Sequence, residues 1–283
     1  MFNKLKNDFV MELTDGNIKF YKKNVGIVLN EKYEAETFER RVYRICPEPN
    51  KQHLLVVVDT GAKPLIVTKL KSIAFGVGFS NISFVSTVYA LASFFGYNFK
   101  TTKPVMSVII GNAATDFALL SGTKMVKSGT IPIGVSDCHE VIIDKINGKF
   151  NTQISNTDAK NIFNNIAVLI PGDTQHIKVN DFVVKADLVR EAIYPVYEQI
   201  IGAINHILSS AEVDTIRVIK DTGIFIGGVG AKIRGLADAV FAVLGLQCFI
   251  ADTPKNALIY GAGGLLAMPD VLTDIIAYEK LSK

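Results

Sequence analysis

Residues able to do chemistry are few in this chain, and their spacing excludes several reaction classes. The histidines His53, His139, His176 and His206 are scattered, and none has a ligand-type partner one helical turn away, so neither a metal centre nor a general base is indicated. The cysteines Cys46, Cys138 and Cys248 form no CxxC pair, which argues against structural zinc and a disulfide framework. Cys138 has only His139 beside it, so no thiol nucleophile is proposed. Asp137 and Glu140 could contact a ribose or a lysine, or simply lie on a solvated helix face. The strongest local signal is Gly227-Gly228-Val229-Gly230. Read as a turn from strand to helix, it would expose backbone N–H groups to a phosphate. Alone it is weak: it matches neither GxGxxG nor the P-loop, and tight strand–helix packing explains it equally well.

The surrounding pattern places this turn. Phe9 to Leu29 reads as short strands around Asp15-Gly16-Asn17, a hairpin signal. Residues 33 to 50 read as a linker or trimmed element. Leu54 to Val58 is a buried strand, followed by a helix over 64–77, a strand at Ile82 to Val85 and a small-residue helix over 86–96. Val105 to Ile110 and Phe117 to Leu120 flank a second turn, Gly111 to Asp116, so strand, small-residue turn and strand recur. A helix follows from about Ser136 to Ile146, then a mixed segment over 150–185. Apolar residues at helical spacing predict a long helix from Lys185 to Ser209, which Pro195 should bend or divide. The chain closes with a strand at Gly223 to Ile226, the glycine-rich turn, a helix opening at Arg234-Gly235-Leu236, a strand at Gln247 to Ile250 and a last helix near Asn256 to Leu266. Phe94, Phe95, Tyr97 and Phe99 form an aromatic cluster at a helix end, suited to core packing.

Composition limits the class further. The 283 residues are 49% hydrophobic and 20% charged, with 30 Lys+Arg against 27 Asp+Glu. This argues against disorder and gives no basic stripe for nucleic acid. No apolar run is long enough to span a bilayer. Met1, Phe2, Leu5, Phe9 and Val10 would share one side of an opening helix, a small interfacial anchor; a first strand packing Phe9 into the core fits equally well. The expectation is a cytoplasmic protein, with the inner face of the cell membrane as a further location.

Two phosphate-type hairpins followed late by strand–GGxG–helix resemble the actin/Hsp70/sugar-kinase superfamily, and within it the MreB bacterial actins. The opening through Gly26-Ile27-Val28-Leu29-Asn30-Glu31 is similar to that family's start. Ile109 through Thr115 corresponds to its DIGGGTT hairpin, Pro132 through Ile142 to its RVGGDEMDEAI helix, and Ile226 through Leu236 to its LTGGGALLRGL turn. Ala251 through Gly263 matches its close. The resemblance implies an α/β, actin-like (ribonuclease H-like) two-domain fold with a cleft. Domain I would cover 1–130, with one small subdomain reduced to about 32–52. Domain II would cover 131–283, with a small subdomain at about 150–185 and a last helix (about 256–268) packing back on domain I. ATP is the implied cofactor. The implied contacts are Glu12, Asp15, Gly16 and Asn17 in the first turn, and Gly111, Asn112, Ala113 and Thr115 in the second. Gly134, Gly228, Val229, Gly230, Ala231 and Lys232 complete the set. Met1, Phe2 and Leu5 are the membrane candidates.

The departures from the family gather at the chemistry. Asp15 sets a negative charge where a terminal phosphate would sit. Ile109 occupies the position of the metal-linked Asp, and magnesium takes oxygen ligands. Asn112-Ala113-Ala114 adds side chains beside the phosphates. The stretch Gly61 to Thr68 lacks the carboxylate that orients the attacking water, and Lys160, Asn161 and Phe163 do not match the family's nucleoside contacts. The expectation is therefore an MreB-like cytoskeletal, cell-shape protein, structural or filament-associated, with hydrolysis lost, no catalytic or metal residues, magnesium not expected and ATP binding weakened. Its partner would be itself or a full-length MreB-like relative, with a membrane surface as a further contact and no nucleic acid. The alternatives are a non-polymerising pseudo-ATPase scaffold that binds a protein, and a divergent active ATPase.

Overall fold

A computed structural model describes residues 7–14 and 16–281. Met1, Phe2, Leu5 and Asp15 lie outside the described residues. The first sheet contains β1 (Asn7–Thr14), β2 (Asn17–Lys22), β3 (Gly26–Lys32), β4 (His53–Val58) and β5 (Asn81–Ser86). With them come α1 (Ala35–Ile45), α2 (Pro64–Gly76) and α3 (Thr87–Phe94). The second sheet contains β6 (Pro104–Ile110), β7 (Thr115–Ser121), β8 (Lys124–Ile131), β11 (Ile224–Gly227) and β12 (Cys248–Ile250). Between β8 and β11 run α4 (Val135–Phe150), α5 (Asn156–Ile166), the hairpin β9 (His176–Val179) and β10 (Phe182–Lys185), α6 (Ala186–Ser209) and α7 (Val213–Thr222). The chain ends through α8 (Leu236–Leu244), α9 (Ala257–Leu265) and α10 (Pro269–Leu281).

The two sheets repeat one topology. Their orders are β3-β2-β1-β4-β5 and β8-β7-β6-β11-β12. In each, an antiparallel three-stranded meander continues into two parallel strands. The recurring strand–turn–strand unit of the sequence is thus the head of each sheet. By strand pairing the change of sheet falls between β5 and β6, because the second hairpin pairs with β11.

Period-two alternation decides which side chains face which layer. Phe9 and Met11 pack with α1 and α2, through Phe38, Val42, Leu70 and Ala74. Val10 points the other way, into a layer between the sheets built on α3, α9 and α10. In β6, Met106, Val108 and Ile110 face a core under α4, α5, α6 and α8, whereas Val105 and Ile109 face the inter-sheet layer. The aromatic cluster is part of this packing: Phe99 is buried there, and Phe95 stacks on Phe225 at 4.5 Å.

Several elements differ from expectation. The segment read as a linker or trimmed element contains α1, whose Phe38 and Val42 are buried against the first sheet. The strand β8 and the helices α7 and α10 have no counterpart in the sequence reading. α6 runs through Pro195 without dividing. Phe9 and Val10 lie in β1, so the strand reading holds for them. Among the described residues, no single helix is long and apolar enough to cross a membrane.

Candidate functional site

The two hairpins and the glycine-rich turn form the candidate site. In the first hairpin, Glu12 is buried and pairs across the strands with Lys19. The Lys19 ammonium donates to Glu12 Oε1 at 2.9 Å and to the Lys255 carbonyl, and Thr14 Oγ1 donates to the same carboxylate oxygen at 3.1 Å. Glu12 Oε2 is buried without a partner. Gly16 takes φ +73° in the turn, and its carbonyl accepts from Tyr33 N at 2.7 Å. Asn17 is exposed at the start of β2.

The second hairpin closes on itself and on α4. Gly111 N donates to the Ala114 carbonyl at 2.9 Å. The Gly111 and Asn112 carbonyls accept from Val135 N and Ser136 N at 3.1 and 2.8 Å. Amide groups that a helix N-terminus would otherwise offer to an anion are therefore spent on the chain itself. Gly134 is required there, because a Cβ would stand 2.5 Å from the Asn112 carbonyl oxygen. Thr115 Oγ1 donates to the Ile133 carbonyl at 2.7 Å, and Ala113 is exposed.

The room left by the late glycines is likewise filled by protein. A Cβ on Gly228, at φ +89°, would lie 2.4 Å from the Ile110 carbonyl oxygen, and one on Gly230 would lie 2.3 Å from Ile110 Cγ2. Ala231 is buried, and Tyr197 donates its hydroxyl to the Gly230 carbonyl at 2.8 Å. Val229 and Lys232 instead line an open pocket of about 470 Å³ with Phe163, Asn164, Arg234 and Lys255. Asp173 pairs with Arg234 at 2.9 Å. Gly111, Gly134, Gly228 and Gly230 thus converge around Ile110 and the start of α4. Glu12 is joined through Lys19 to the Lys255 carbonyl, and Lys255 lines the open pocket with Val229 and Lys232.

One decisive carboxylate escaped the sequence reading. Ile109 pairs with Asp116 across the β6–β7 ladder. Asp116 is buried and accepts from Thr60 N at 2.9 Å, Thr87 Oγ1 at 3.3 Å and Thr130 Oγ1 at 2.6 Å. Thr60 and Thr87 belong to the first sheet's half, so Asp116 ties the two halves together. The hairpin turn between Ile110 and Thr115 already implies this pairing, as the first turn implies Glu12 opposite Lys19.

This donor set does not fit a divalent cation. The position facing Asp116 is aliphatic, Asp116 is engaged by hydroxyl and amide donors, and Glu12 is already paired with Lys19. No cluster of three His, Cys, Asp or Glu side chains suited to a metal occurs among the described residues. Cys138 is no nucleophile either: burial, with the charge of Asp137, pushes its thiol up to about 12.

Comparison with known proteins agrees with the geometry. The family described as MreB/Mbl protein matches residues 14–274. The cell shape-determining protein MreB of Escherichia coli K12 is 24% identical over 229 residues, which cover 77% of this chain and 66% of that protein's length. The cell shape-determining protein Mbl of Bacillus subtilis is 26% identical over 179 residues, or 59% of this chain and 54% of that protein. Among solved structures, MreB5 of Spiroplasma citri bound to ADP superposes with a TM-score of 0.84 at 16% identity, covering 96% of this chain and 99% of that one. The MamK double helical filament gives a TM-score of 0.74 at 17% identity, covering 93% and 99%. These likenesses show the actin-like fold, and the family match, which runs through both sheets and the glycine-rich turn, establishes that the chain belongs to the MreB/Mbl family.

Proposed function

We propose that this chain is a cytoskeletal, cell-shape protein that assembles with itself or with a longer relative, at the cytoplasmic face of the membrane, and that it does not hydrolyse ATP. Relatives named as cell shape-determining proteins and a neighbour solved as a double helical filament support the assembly half. The pairing of Ile109 with an already engaged Asp116 supports the loss of hydrolysis. Phosphoryl transfer depends on a metal and a positioned water, and this cleft offers an aliphatic side chain where the oxygen ligand is needed. ATP binds weakly on this reading, without magnesium dependence.

Sedimentation and electron microscopy of the purified chain, alone and with a full-length relative, test assembly. Single-turnover phosphate release and calorimetry with Mg-ATP test the cleft. Assembly without phosphate release is the expected result. Magnesium-dependent binding at micromolar affinity or tighter, or phosphate release abolished by changing Gly228 or Asn17, would refute the second half. A non-polymerising scaffold is the second reading, favoured by the short β3–β4 connection, in which α1 and one 3₁₀ turn at Pro49–Lys51 are all that stand between the strands. Strict monomers that bind no relative would select it.

A further inference from the structure

The two hairpins carry a matched pair of contacts. In each, a buried residue on the first strand faces a buried charged residue seven places on: Glu12 faces Lys19 across β1 and β2, and Ile109 faces Asp116 across β6 and β7. Each of these second-strand charges bonds to the other half of the molecule. Lys19 donates to the carbonyl of Lys255, in the loop that leaves β12. Asp116 accepts from the amide of Thr60, in the loop that leaves β4, and from the hydroxyl of Thr87 at the start of α3. The first half thus holds the second through a cation, and the second holds the first through an anion.

Both contacts are shielded and completed from their own side. Lys19 is 8% exposed and is neutralised by Glu12 Oε1 at 2.9 Å. Asp116 is 5% exposed, and its other oxygen accepts from Thr130 Oγ1 at 2.6 Å. Hydrogen bonds to charged groups are roughly twice as strong as neutral ones. The halves also meet without spare room, because a Cβ on Gly61 would lie 2.5 Å from Thr130 Oγ1, the same hydroxyl that Asp116 holds. A ligand closes a cleft only by binding the closed state more tightly than the open one. Here side chains of the protein supply the bridging bonds, so closure does not wait for a ligand.

We propose that Lys19 and Asp116 form a double latch that keeps the two halves shut without any bound nucleotide. For the assembly proposed above, it follows that no nucleotide is needed to set the angle between the halves. The latch itself rests on neither assembly nor the loss of hydrolysis, and its test reads a distance rather than phosphate release, so the two readings can fail separately.

Pulsed electron resonance on the full chain measures that distance, with nitroxides at Lys71→Cys in α2 and Asn205→Cys in α6, two exposed positions on opposite halves. Cys248 is replaced by serine, whereas Cys46 and Cys138 are buried. The nucleotide-free chain should give one narrow distance population, and adding Mg-ATP should leave its centre in place. Lys19→Met and Asp116→Ala should each broaden the distribution or split it in two, and the combined variant should do so further. Gly61→Ala leaves both latch residues in place but pushes Thr130 away from Asp116, and it should broaden the distribution even where Asp116→Ala does not fold. A broad or divided population in the nucleotide-free parent, a shift of its centre with Mg-ATP, or an unchanged narrow population in every folded variant would overturn the proposal.

Discussion

Ile109 stands directly opposite Asp116 in the β6–β7 ladder, and Asp116 accepts from Thr60 after β4 and from Thr87 at the start of α3. The carboxylate therefore acts as a cross-brace between the two halves of the molecule. Removing it in Asp116→Ala leaves the Thr60 amide and two hydroxyls without their acceptor, at a cost of roughly 3 kcal/mol. Asp116→Asn keeps an acceptor oxygen and should cost less than half of that. Urea unfolding of both variants measures the difference. Restoring an acid with Ile109→Asp places two carboxylates face to face in a buried site, so the expected outcome is lower stability and no magnesium-stimulated phosphate release.

His53 makes the protein sensitive to mild acid. It is wholly buried at the head of β4, its Nε2 lies 2.9 Å from Ser83 Oγ, and its Nδ1 has no partner. Burial lowers its pKa to about 4. Because the folded value lies below the unfolded one, the unfolded chain takes up the proton more readily. Stability is unaffected above the unfolded pKa near 6.5 and falls as pH drops from there to about 4. Between pH 7.5 and pH 5.5 the loss from this group should be about 1.4 kcal/mol. Urea midpoints at the two pH values, compared with His53→Leu, isolate the contribution. An equal decline in both proteins would refute it.

Much of the fold was legible because buried strands and hairpin turns leave local marks. Leu54 to Val58 and Val105 to Ile110 are apolar runs that could only be interior, and both turns carry small residues. β8 was not legible: Lys124 to Ile131 alternates between exposed and half-buried positions and lacks a continuous apolar run. α1 was hidden by its charge, since only Phe38 and Val42 reach the core. At the site, the turn glycines Gly111, Gly134, Gly228 and Gly230 could be read from the family pattern. The Thr60 and Thr87 donors that engage Asp116 come from the other half of the molecule, and the Lys255 carbonyl that Lys19 holds lies 236 residues along the chain. Neither follows from residue order alone.

The packing of α3 on α9 depends on one glycine. A Cβ on Gly261 would stand 1.8 Å from the Ala90 carbonyl oxygen and 3.0 Å from Phe94 N. Both neighbours are backbone and cannot swing aside, so Gly261→Ala must separate the helices at the centre of the inter-sheet layer. The expected loss is about 3 kcal/mol or more. Gly148 in α4 and Gly202 in α6 have nothing within 4 Å of the same position. Alanine at either should stabilise by roughly 0.5–1 kcal/mol through helix propensity. Opposite shifts in the thermal midpoint are the check.

Lys19 provides the sharpest test of the idea that the first hairpin has exchanged an external cation for an internal one. Its ammonium neutralises Glu12 and holds the Lys255 carbonyl, which joins the hairpin to the loop before α9. Lys19→Met strands a buried carboxylate whose second oxygen is already without a partner, a change that costs about 3–5 kcal/mol. The double variant Lys19→Met, Glu12→Gln should recover much of that loss, because no charge is then left unpaired. Thermal unfolding of the parent, single and double variants with and without magnesium gives the answer. Partial rescue by the second substitution and indifference to magnesium are expected. If magnesium restored the single variant, the hairpin would still hold a metal site, and the lysine would be only an alternative occupant of it.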